Sequence, residues 1–309
     1  MLGHSFPTRR SSDLASEGSA AIRTGSLAYP RQAIDSDNMR VIIPRPPQRI
    51  VSQYWSIDDY VYSVARPESI VAVSQSAYAR SYSNVYLLAE KFRPAIATDP
   101  ERVLDLNPDL ILVSSDGRGD YTSLVRSTGV PVYRMQSTFH TLDQVEKTIL
   151  LTGYLIGQDA AAQSVAARFR ARIEEGRAKA QAARARGMAP LHILCLAGRH
   201  GYGANTLLDD VLKTIGAINV AGEHGLEGYA PVNFEQIAQW SPDWIVAGAD
   251  RGKTKLVLAQ LLADPAVAVT KAARDHHILV LENDIVQPMS PFSSRFVTTL
   301  ANAFYGAGV

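Results

Sequence analysis

Cysteine is almost absent from this chain of 309 residues, in which Cys195 is the only one. A single thiol excludes an internal disulfide, but it does not fix the compartment, because many exported proteins of this size have none. Cys195 lies inside the largely apolar run 191–196, which is typical of a buried strand. We therefore expect an inert, buried thiol at this position.

Long hydrophobic runs are also missing. No stretch approaches the roughly 20 apolar residues that cross a bilayer, and the N-terminus lacks the apolar core of a signal peptide. Residues 4–14, HSFPTRRSSDL, look like a translated sequencing adapter, so we treat residues 1–14 as an artefact and expect that the native start and its export signal were lost. Residues 15–48 are rich in serine, arginine and proline and predict an irregular lead-in.

Net charge is nearly zero, because 31 basic side chains offset 30 acidic ones. The composition therefore gives no support for nucleic acid or an anionic membrane surface as the partner. Arginines and lysines do cluster between residues 168 and 186, but alanines and glutamates lie among them, which favours a solvated helix face. We expect a small molecule and a protein as partners, and no nucleic acid.

Beyond residue 48, short apolar runs alternate with amphipathic runs, which is the pattern of a mostly parallel sheet covered by helices. The strands predicted in the first half are 50–51, 69–73, 110–113 and 130–133. The strands predicted in the second half are 191–197, 218–220, 244–246 and 278–281. A closing helix is predicted at 293–305. The sequence therefore predicts an α/β fold built in two halves.

The pattern changes between the two halves. Residues 141–186 contain no proline and few glycines, and their apolar residues recur near helical spacing. This predicts one long helix or two nearly collinear helices. We therefore predict two Rossmann-like lobes, 49–140 and 189–309, bridged by a long α-helix at 141–188, with the ligand cleft between the lobes.

One sequence element occurs twice. Residues 101–113 (ERVLDLNPDLILV) and 235–247 (EQIAQWSPDWIVA) share glutamate, proline, aspartate and isoleucine at a constant spacing. A weaker echo pairs Asp58-Asp59 with Asp209-Asp210. Pro-Asp before a strand is ordinary turn chemistry, but a glutamate seven positions before the proline in both copies indicates duplicated lobes.

The repeated element, the Arg49-Ile50-Val51 start and the strand at 70–74 resemble the class III periplasmic binding proteins for vitamin B12, ferric siderophores and haem. The resemblance covers residues 48–306. It implies two Rossmann-like lobes bridged by one long helix, and a substrate-binding protein of an ABC importer rather than an enzyme. It also implies a monomer outside the cytoplasm, peripheral to the membrane through the permease, with no cofactor of its own because iron is carried within the ligand.

The resemblance assigns a role to two glutamates. Family members carry one glutamate per lobe that pairs with arginines of the permease, and by position these correspond to Glu101 and Glu235. Exposed carboxylates make charge-assisted, bidentate contacts with arginine, which fix the register of docking. Both residues also open predicted helices, where a carboxylate stabilises the helix dipole, and both roles stay open.

Candidate ligand contacts lie in the loops that follow the strands, because open α/β sheets bind ligands beyond the carboxyl ends of their strands. Aromatic rings supply flat apolar area and arginine forks bind oxygens, a combination that suits a bulky anionic chelate. The candidates are Tyr78, Arg80, Tyr82, Arg118, Arg199, His200, Tyr202 and Tyr229. The B12 binder has a cleft tryptophan at the position of Tyr229, but the matching position in the other lobe, 95, is alanine. This argues against a corrinoid sandwich and favours a ferric siderophore, with cobalamin or haem as the alternatives.

Other functions find less support. The glycine-rich loop 198–203 does not fit G-x-G-x-x-G, and no lysine follows as in a P-loop. The histidines show no spacing typical of metal ligands, so we predict no metal site, although a direct metal receptor stays an alternative. An α/β enzyme such as a metal chelatase is the rival of another class, but no nucleophile elbow, catalytic carboxylate pair or cofactor fingerprint is found.

Overall fold

The computed structural model describes residues 28–92, 99–117, 119–286 and 288–306. The chain divides into two compact units. The first unit comprises the chain up to Gln75 together with Ala89–Ser137 and Lys147–Ser164. The second unit comprises Ser76–Leu88, Thr138–Glu146 and Val165–Val309. Among the described residues, no helix combines the length and apolarity needed to cross a membrane.

The first unit is built on a four-stranded parallel sheet with the order β4-β3-β5-β6. Its strands are β3 (Ile50–Ser52), β4 (Ile70–Ala72), β5 (Leu110–Ser114) and β6 (Val132–Met135). Its helices include α1 (Trp55–Val64), α3 (Pro100–Leu104) and α4 (Gly119–Arg126). Strand β5 is buried along its whole length, because helices cover a parallel sheet on both faces.

The second unit has a larger sheet with the order β10-β8-β7-β11-β12, and β9 also pairs with β7. Its strands are β7 (His192–Ala197), β8 (His200–Tyr202), β9 (Ile218–Asn219), β10 (Tyr229–Pro231), β11 (Trp244–Ala249) and β12 (Ile278–Glu282). Its helices are α2 (Tyr86–Ala89), α7 (Leu207–Thr214), α8 (Val220–Glu223), α9 (Phe234–Trp240), α10 (Thr254–Ala263), α11 (Pro265–Ala268), α12 (Lys271–Arg274), α13 (Asn283–Val286) and α14 (Ser293–Tyr305). Strands β8 and β10 are antiparallel additions to a parallel core.

The two units repeat one topology. The order β4-β3-β5-β6 in the first unit has its counterpart in β9-β7-β11-β12 in the second, and every pair within these sets is parallel. The predicted α/β fold with two Rossmann-like halves is therefore confirmed. The predicted lobe boundaries and the ligand cleft between the lobes stay predictions.

The repeated Pro-Asp has one structural role in both copies. Asp109 donates its backbone N–H to the carbonyl of Arg49, and its carboxylate accepts the backbone N–H of Arg49. Asp243 makes the same two contacts with His192. Burial raises the pKa of Asp243, but the N–H of His192 and the ammonium of Lys271 outweigh burial and lower it overall. Each aspartate thus fixes the start of the central strand of its sheet.

The weaker echo also has a structural basis. Asp58 is fully buried in α1 and accepts hydrogen bonds from the hydroxyls of Ser52 and Ser74. Asp209 occupies the matching place in α7, where it accepts the amide of Asn219 at 3.1 Å. Cys195 is fully buried, as predicted. Burial, and then the Asp209 carboxylate, raise the pKa of its thiol to about 12, which disfavours the reactive thiolate.

The predicted long helix is present at Asp159–Ala185, but the prediction of one continuous helix or two collinear helices over the whole segment 141–186 is wrong. The chain forms α5 (Leu142–Ile156) and α6 (Asp159–Ala185), which run antiparallel. Glu146 forms an ion pair with Arg170, and a Cβ on Gly153 would lie 2.2 Å from that of Ala162. Gly157, at φ +72°, ends the first helix in a left-handed conformation that L side chains rarely adopt. One glycine therefore reverses the chain direction.

The prediction of an irregular lead-in is wrong for residues 31–43. Strands β1 (Arg31–Ile34) and β2 (Arg40–Ile43) form an antiparallel hairpin in the first unit. Arg31 is buried, where it donates to the carbonyl of Tyr154 at 2.6 Å and pairs with Asp159 at 2.8 Å. A buried guanidinium requires such partners, so the hairpin is an integral part of the first unit. Residues 1–14, predicted to be an artefact, lie outside the described residues.

Because Asp58 is buried, we predict that the stability of the folded protein depends on pH. Burial raises its pKa to about 7, although hydrogen bonds from Ser52 and Ser74 oppose the shift. A carboxyl group with a raised pKa in the folded state stabilises the fold when protonated, and this contribution is lost as the pH rises from about 4 to about 7. An asparagine at position 58 cannot titrate, so the Asp58→Asn variant should not show this loss. When the pH is raised from 5 to 8, we expect the difference in free energy of unfolding between variant and parent protein to shift by about 2–3 kcal/mol in favour of the variant.

Urea unfolding of both proteins at the two pH values measures this difference. Asp105→Asn, at an exposed carboxylate, is the control and should change little between the two conditions. A constant difference between Asp58→Asn and the parent protein at pH 5 and pH 8 would contradict the prediction.

Candidate functional site

Three of the predicted ligand contacts form one aromatic cluster, His200, Tyr202 and Tyr229, at the carboxyl end of β7. Strands β8 and β10 pair antiparallel here, and their register places Tyr229 opposite Tyr202. The ring of Tyr229 lies 4.9 Å from that of Tyr202 and stacks on His200 at 4.8 Å with an interplanar angle of 19°. The three rings share one face of a two-stranded ribbon, because side chains two residues apart on a strand point the same way.

The glycines around this cluster permit its close packing. Gly198, at φ +59°, turns the chain from β7 into β8. A Cβ on Gly203 would lie 2.0 Å from the carbonyl oxygen of Leu226, so only glycine allows this approach. The glycine-rich loop therefore shapes a turn and a ribbon, and a phosphate cradle is not its structural role.

The members of the cluster differ in exposure. Tyr229 is 53% exposed, and its hydroxyl donates to the carbonyl of Ala197 over a long 3.4 Å. Tyr202 is half-buried, and burial together with Tyr229 raises its pKa far above the ordinary value. Tyr229 is therefore the phenol that a ligand can reach, while Tyr202 and His200 support it. Arg199 is exposed next to His200 in the chain.

A second group of predicted contacts lies on the segment 76–88, which belongs to the second unit. The Arg80 guanidinium lies 5.9 Å from the ring centre of Tyr86, and Arg251 lies over the same ring at 4.9 Å. Arg251 also donates to the carbonyl of Arg80 at 3.0 Å. Tyr78 and Tyr82 are half-buried on this segment. Arg80 thus contacts Tyr86 rather than the aromatic cluster.

Two arginines beside this segment, Arg251 and Arg295, are already neutralised. Arg251 pairs with Asp284 at 2.9 Å and lies 3.7 Å from Glu282. Arg295 lies 3.6 Å from Asp284 and donates to Asn84. Because both guanidinium groups have a carboxylate neighbour, Arg251 and Arg295 offer little free positive charge to a highly anionic ligand.

The first unit has a cavity of about 320 Å³ where the strand order reverses between β3 and β5. Such a switch point is a usual ligand crevice of α/β sheets. The cavity is lined by Gln53, Pro100, Val113, Ser114, Gly117, Asp120, Tyr121, Thr122 and Leu124. Burial raises the pKa of Tyr121 to about 12, and the neighbouring Gln53 side chain partly offsets this.

Sequence reasoning predicted the loop after β5 as a ligand loop, but it missed Gln53 and Tyr121. Gln53 directly follows β3, and Tyr121 lies in the first turn of α4. Both positions are at the carboxyl edge of the sheet, where ligands usually bind, and this placement could have identified them from the sequence. Arg251 was missed as well, since its contact with Tyr86 joins residues far apart in sequence. Arg118, a predicted contact, lies outside the described residues.

The two candidate docking glutamates occupy equivalent positions. Glu101 is the second residue of α3 and Glu235 is the second residue of α9, and both are exposed. Asp99 caps the first helix, and Asn233 caps the second through a reciprocal contact with Gln236. The caps already satisfy the first backbone N–H groups, so both carboxylates remain available to a partner.

The part of the chain that the structure describes shows no group of three or more histidine, cysteine, aspartate and glutamate side chains suited to a metal ion. The absence of a metal site stays a prediction. His224 stacks on Trp240 and His277 stacks on Trp244, which are packing contacts.

Comparison with known proteins extends these observations. A family model described as "Periplasmic binding protein" matches residues 50–285, well over half of the chain. The chain belongs to the periplasmic binding protein family. A solute-binding protein of this family is not an enzyme, and the resemblance stated from the sequence is confirmed. The family is one of extracytoplasmic binding proteins, whose members bind small ligands and interact with ABC permeases.

Individual relatives of this binding protein differ in their ligands. A cobalamin-binding protein of Halobacterium salinarum is 25% identical over 288 residues, covering 92% of this chain and 76% of the relative. The apo periplasmic heme-binding protein RhuT of Roseiflexus sp. RS-1 is 25% identical, with a TM-score of 0.69, covering 84% of this chain and 98% of its own. A periplasmic heme-binding protein of Pseudomonas aeruginosa is 24% identical, with a TM-score of 0.70 over 85% of this chain and 94% of that one.

Proposed function

We propose that this binding protein captures haem outside the cytoplasm and delivers it to an ABC importer. The observation that carries this proposal is the exposed phenol of Tyr229, stacked on His200 and supported by Tyr202. Tyrosine is one of the side chains that hold haem iron, because a phenolate is a hard anionic ligand for iron(III). Three adjacent rings also provide a flat apolar surface against which a porphyrin can stack.

The charges around the segment 76–88 agree with this choice of ligand. A ferric catecholate siderophore carries several negative charges and needs arginine forks that are free to bind oxygens. Arg251 and Arg295 instead pair with Asp284. Haem has only two carboxylates, so it needs fewer free guanidinium groups than a ferric catecholate does.

The ferric siderophore predicted from the sequence is the second candidate. Exposed arginines beside aromatic residues at positions 80 and 199 favour it, since guanidinium forks bind the oxygens of a chelate. Cobalamin is supported by the relative from Halobacterium salinarum. All three ligands leave the transport role and the carrier mechanism unchanged.

Delivery requires a permease, and the two exposed glutamates support this step. Glu101 and Glu235 lie at equivalent helix starts of the two repeated units. A carboxylate on each unit can form a charge-assisted contact with an arginine of the permease, and two such contacts fix the orientation of the binding protein.

A titration of the purified protein with haem, ferric catecholate and hydroxamate siderophores, and cobalamin tests the proposed ligand. We expect haem alone to give a saturable shift of its Soret band together with quenching of tryptophan fluorescence. Quenching by a siderophore without any change of the haem spectrum would favour the second candidate. No response to any of the four ligands would refute the whole ligand class.

A further inference from the structure

Strand β7 has three neighbours in the sheet of the second unit, and two of them share one edge. Strand β11 pairs with residues 193–196 of β7, β9 pairs with residues 192–193, and β8 pairs with residues 196–197. Because β11 overlaps β9 at Ile193 and β8 at Leu196, both β9 and β8 lie on the opposite edge of β7. They lie end to end there, so the last residue of β9 meets the ribbon β8–β10 that carries the aromatic cluster.

Asn219, the last residue of β9, occupies the junction between these two strands. Its side-chain Nδ2 donates to the backbone carbonyl of Tyr202 at 3.0 Å and to the Asp209 carboxylate at 3.1 Å. Asn219 and Asp209 are both buried. An amide nitrogen carries two N–H bonds, so both of its donors are used in these contacts. The carboxylate of Asp209 thus fixes the amide that binds the ribbon.

The Tyr202 carbonyl points away from β10. Ladder hydrogen bonds of 2.8 and 2.9 Å join residue 203 to 228 and residue 232 to 199, and these pairs lie on either side of the pair Tyr202–Tyr229. Hydrogen-bonded and non-hydrogen-bonded pairs alternate in an antiparallel ladder, so Tyr202 and Tyr229 form a non-hydrogen-bonded pair. Side chains of such a pair lie close together, which accounts for the ring contact, and the Tyr202 carbonyl is left to Asn219.

The first unit provides an internal comparison for this junction. Its buried Asp58 accepts the hydroxyl of Ser74 just after β4, as Asp209 accepts the amide of Asn219 at the end of β9. A hydroxyl has one donor, and the bond to Asp58 uses it. Among the described residues, the sheet of the first unit consists of four parallel strands without an added ribbon. The second donor of Asn219 therefore serves a part of the fold that is particular to the second unit.

We propose that Asn219 is a positioning residue of the ligand site, which holds the backbone of Tyr202 and thereby orients the ring of Tyr229. Strand β10 has only three residues, so a displacement of β8 passes through the ladder to Tyr229. A group that binds iron must be held within about 0.5 Å of its productive position. This inference rests on the proposed function, because it takes Tyr229 to be the residue that contacts the ligand.

The variant Asn219→Ser tests this role, because it copies the arrangement of the first unit. The serine hydroxyl can still donate to Asp209, as Ser74 donates to Asp58, but it has no second donor for the Tyr202 carbonyl. We expect the affinity for haem to fall by about 10-fold, measured by haem titration. The charge-transfer absorption of tyrosine-ligated iron(III) should weaken or shift, which a purely structural role would not cause.

Asn283→Ser is the matched control in the same unit. Asn283 also lies at the end of a strand, directly after β12, and its side-chain amide donates to Asp250 at 3.3 Å. Strand β12 lies at the opposite edge of the sheet from β10. We expect this variant to keep the affinity for haem and the absorption band. Urea unfolding of both variants separates a loss of overall stability from a loss of positioning.

Hydrogen exchange of the ligand-free protein measures the hold on the ribbon without haem. The amides of Gly203 and Val232 bond across the ribbon, and they should exchange about 10-fold faster in Asn219→Ser than in the parent protein or in Asn283→Ser. Unchanged exchange in Asn219→Ser would overturn the proposal. So would faster exchange with unaltered haem affinity and absorption, or equal losses in both variants. A parent protein that binds no haem would instead refute the proposed function, and the exchange rates alone would then decide whether Asn219 holds the ribbon.

Discussion

Replacing Tyr229 by phenylalanine is expected to weaken haem binding by about 100-fold, because the variant keeps the ring but loses the phenolate ligand of the iron. The stacking with His200 and Tyr202 should persist, so the folded structure is retained. Haem titration followed by absorbance measures the affinity, and the charge-transfer absorption of a tyrosine-ligated iron(III) should disappear in the variant. The affinity for a siderophore or cobalamin would not depend on this iron ligand.

Tyr202→Phe is the matched control for this prediction. The two rings are neighbours, but Tyr202 is half-buried while Tyr229 is 53% exposed. We expect Tyr202→Phe to change the affinity by less than about 10-fold and to keep the absorption band. A larger loss in Tyr202→Phe than in Tyr229→Phe would reverse the roles of the two tyrosines. Unchanged haem affinity in both variants would show that the cluster is not the haem site.

The double variant Glu101→Ala, Glu235→Ala is expected to bind ligand normally and to fail in delivery. Removing both carboxylates deletes the two proposed charge-assisted contacts with the permease, so docking should weaken by about 100-fold or more. Ligand titration and transport into vesicles that contain the permease separate the two effects. Circular dichroism should be unchanged, since Asp99 and Asn233 still cap the helices.

Two other exposed glutamates provide the control for the docking prediction. Glu68 lies in the first unit and Glu227 in the second, so Glu68→Ala, Glu227→Ala removes the same charge from the same units. This control should transport at the normal rate. Equal loss of transport in both double variants would mean that net charge, and not these two positions, causes the effect. Loss of ligand binding in Glu101→Ala, Glu235→Ala would refute the separation of the docking glutamates from the ligand site.

Much of the fold follows from local patterns in the sequence. Helix 293–305 and the central strands were predicted close to their observed bounds, because apolar periodicity, Pro-Asp turns and capping residues act within a few positions. The repeated element located equivalent helix starts in both units. Its glutamates could be assigned to the exposed surface because each opens a helix.

Other features depended on contacts between distant residues. The reversal at Gly157 rests on packing of Gly153 against Ala162, and the hairpin at 31–43 is held by Asp159 and Tyr154. The hairpin contacts have no local signal, so this segment was predicted as irregular chain. Gly157 is a local helix-stop signal, but the packing that reverses the chain is not visible in the sequence, so the helices were predicted as a straight continuation. The pairing of Arg251 with Tyr86 and Asp284 likewise joins three separate parts of the chain.

The amino-acid sequence by itself determined the α/β class, the duplication, the solute-binding family and the two candidate docking glutamates, because these depend on periodicity and on residues at constant spacing. Only the tertiary structure decided which candidate ligand contacts belong together. Pairing of β8 with β10 joins His200, Tyr202 and Tyr229 into one cluster, while Arg251 and Arg295 form ion pairs with Asp284. Charge compensation and ring stacking act across space, so a linear sequence does not reveal them.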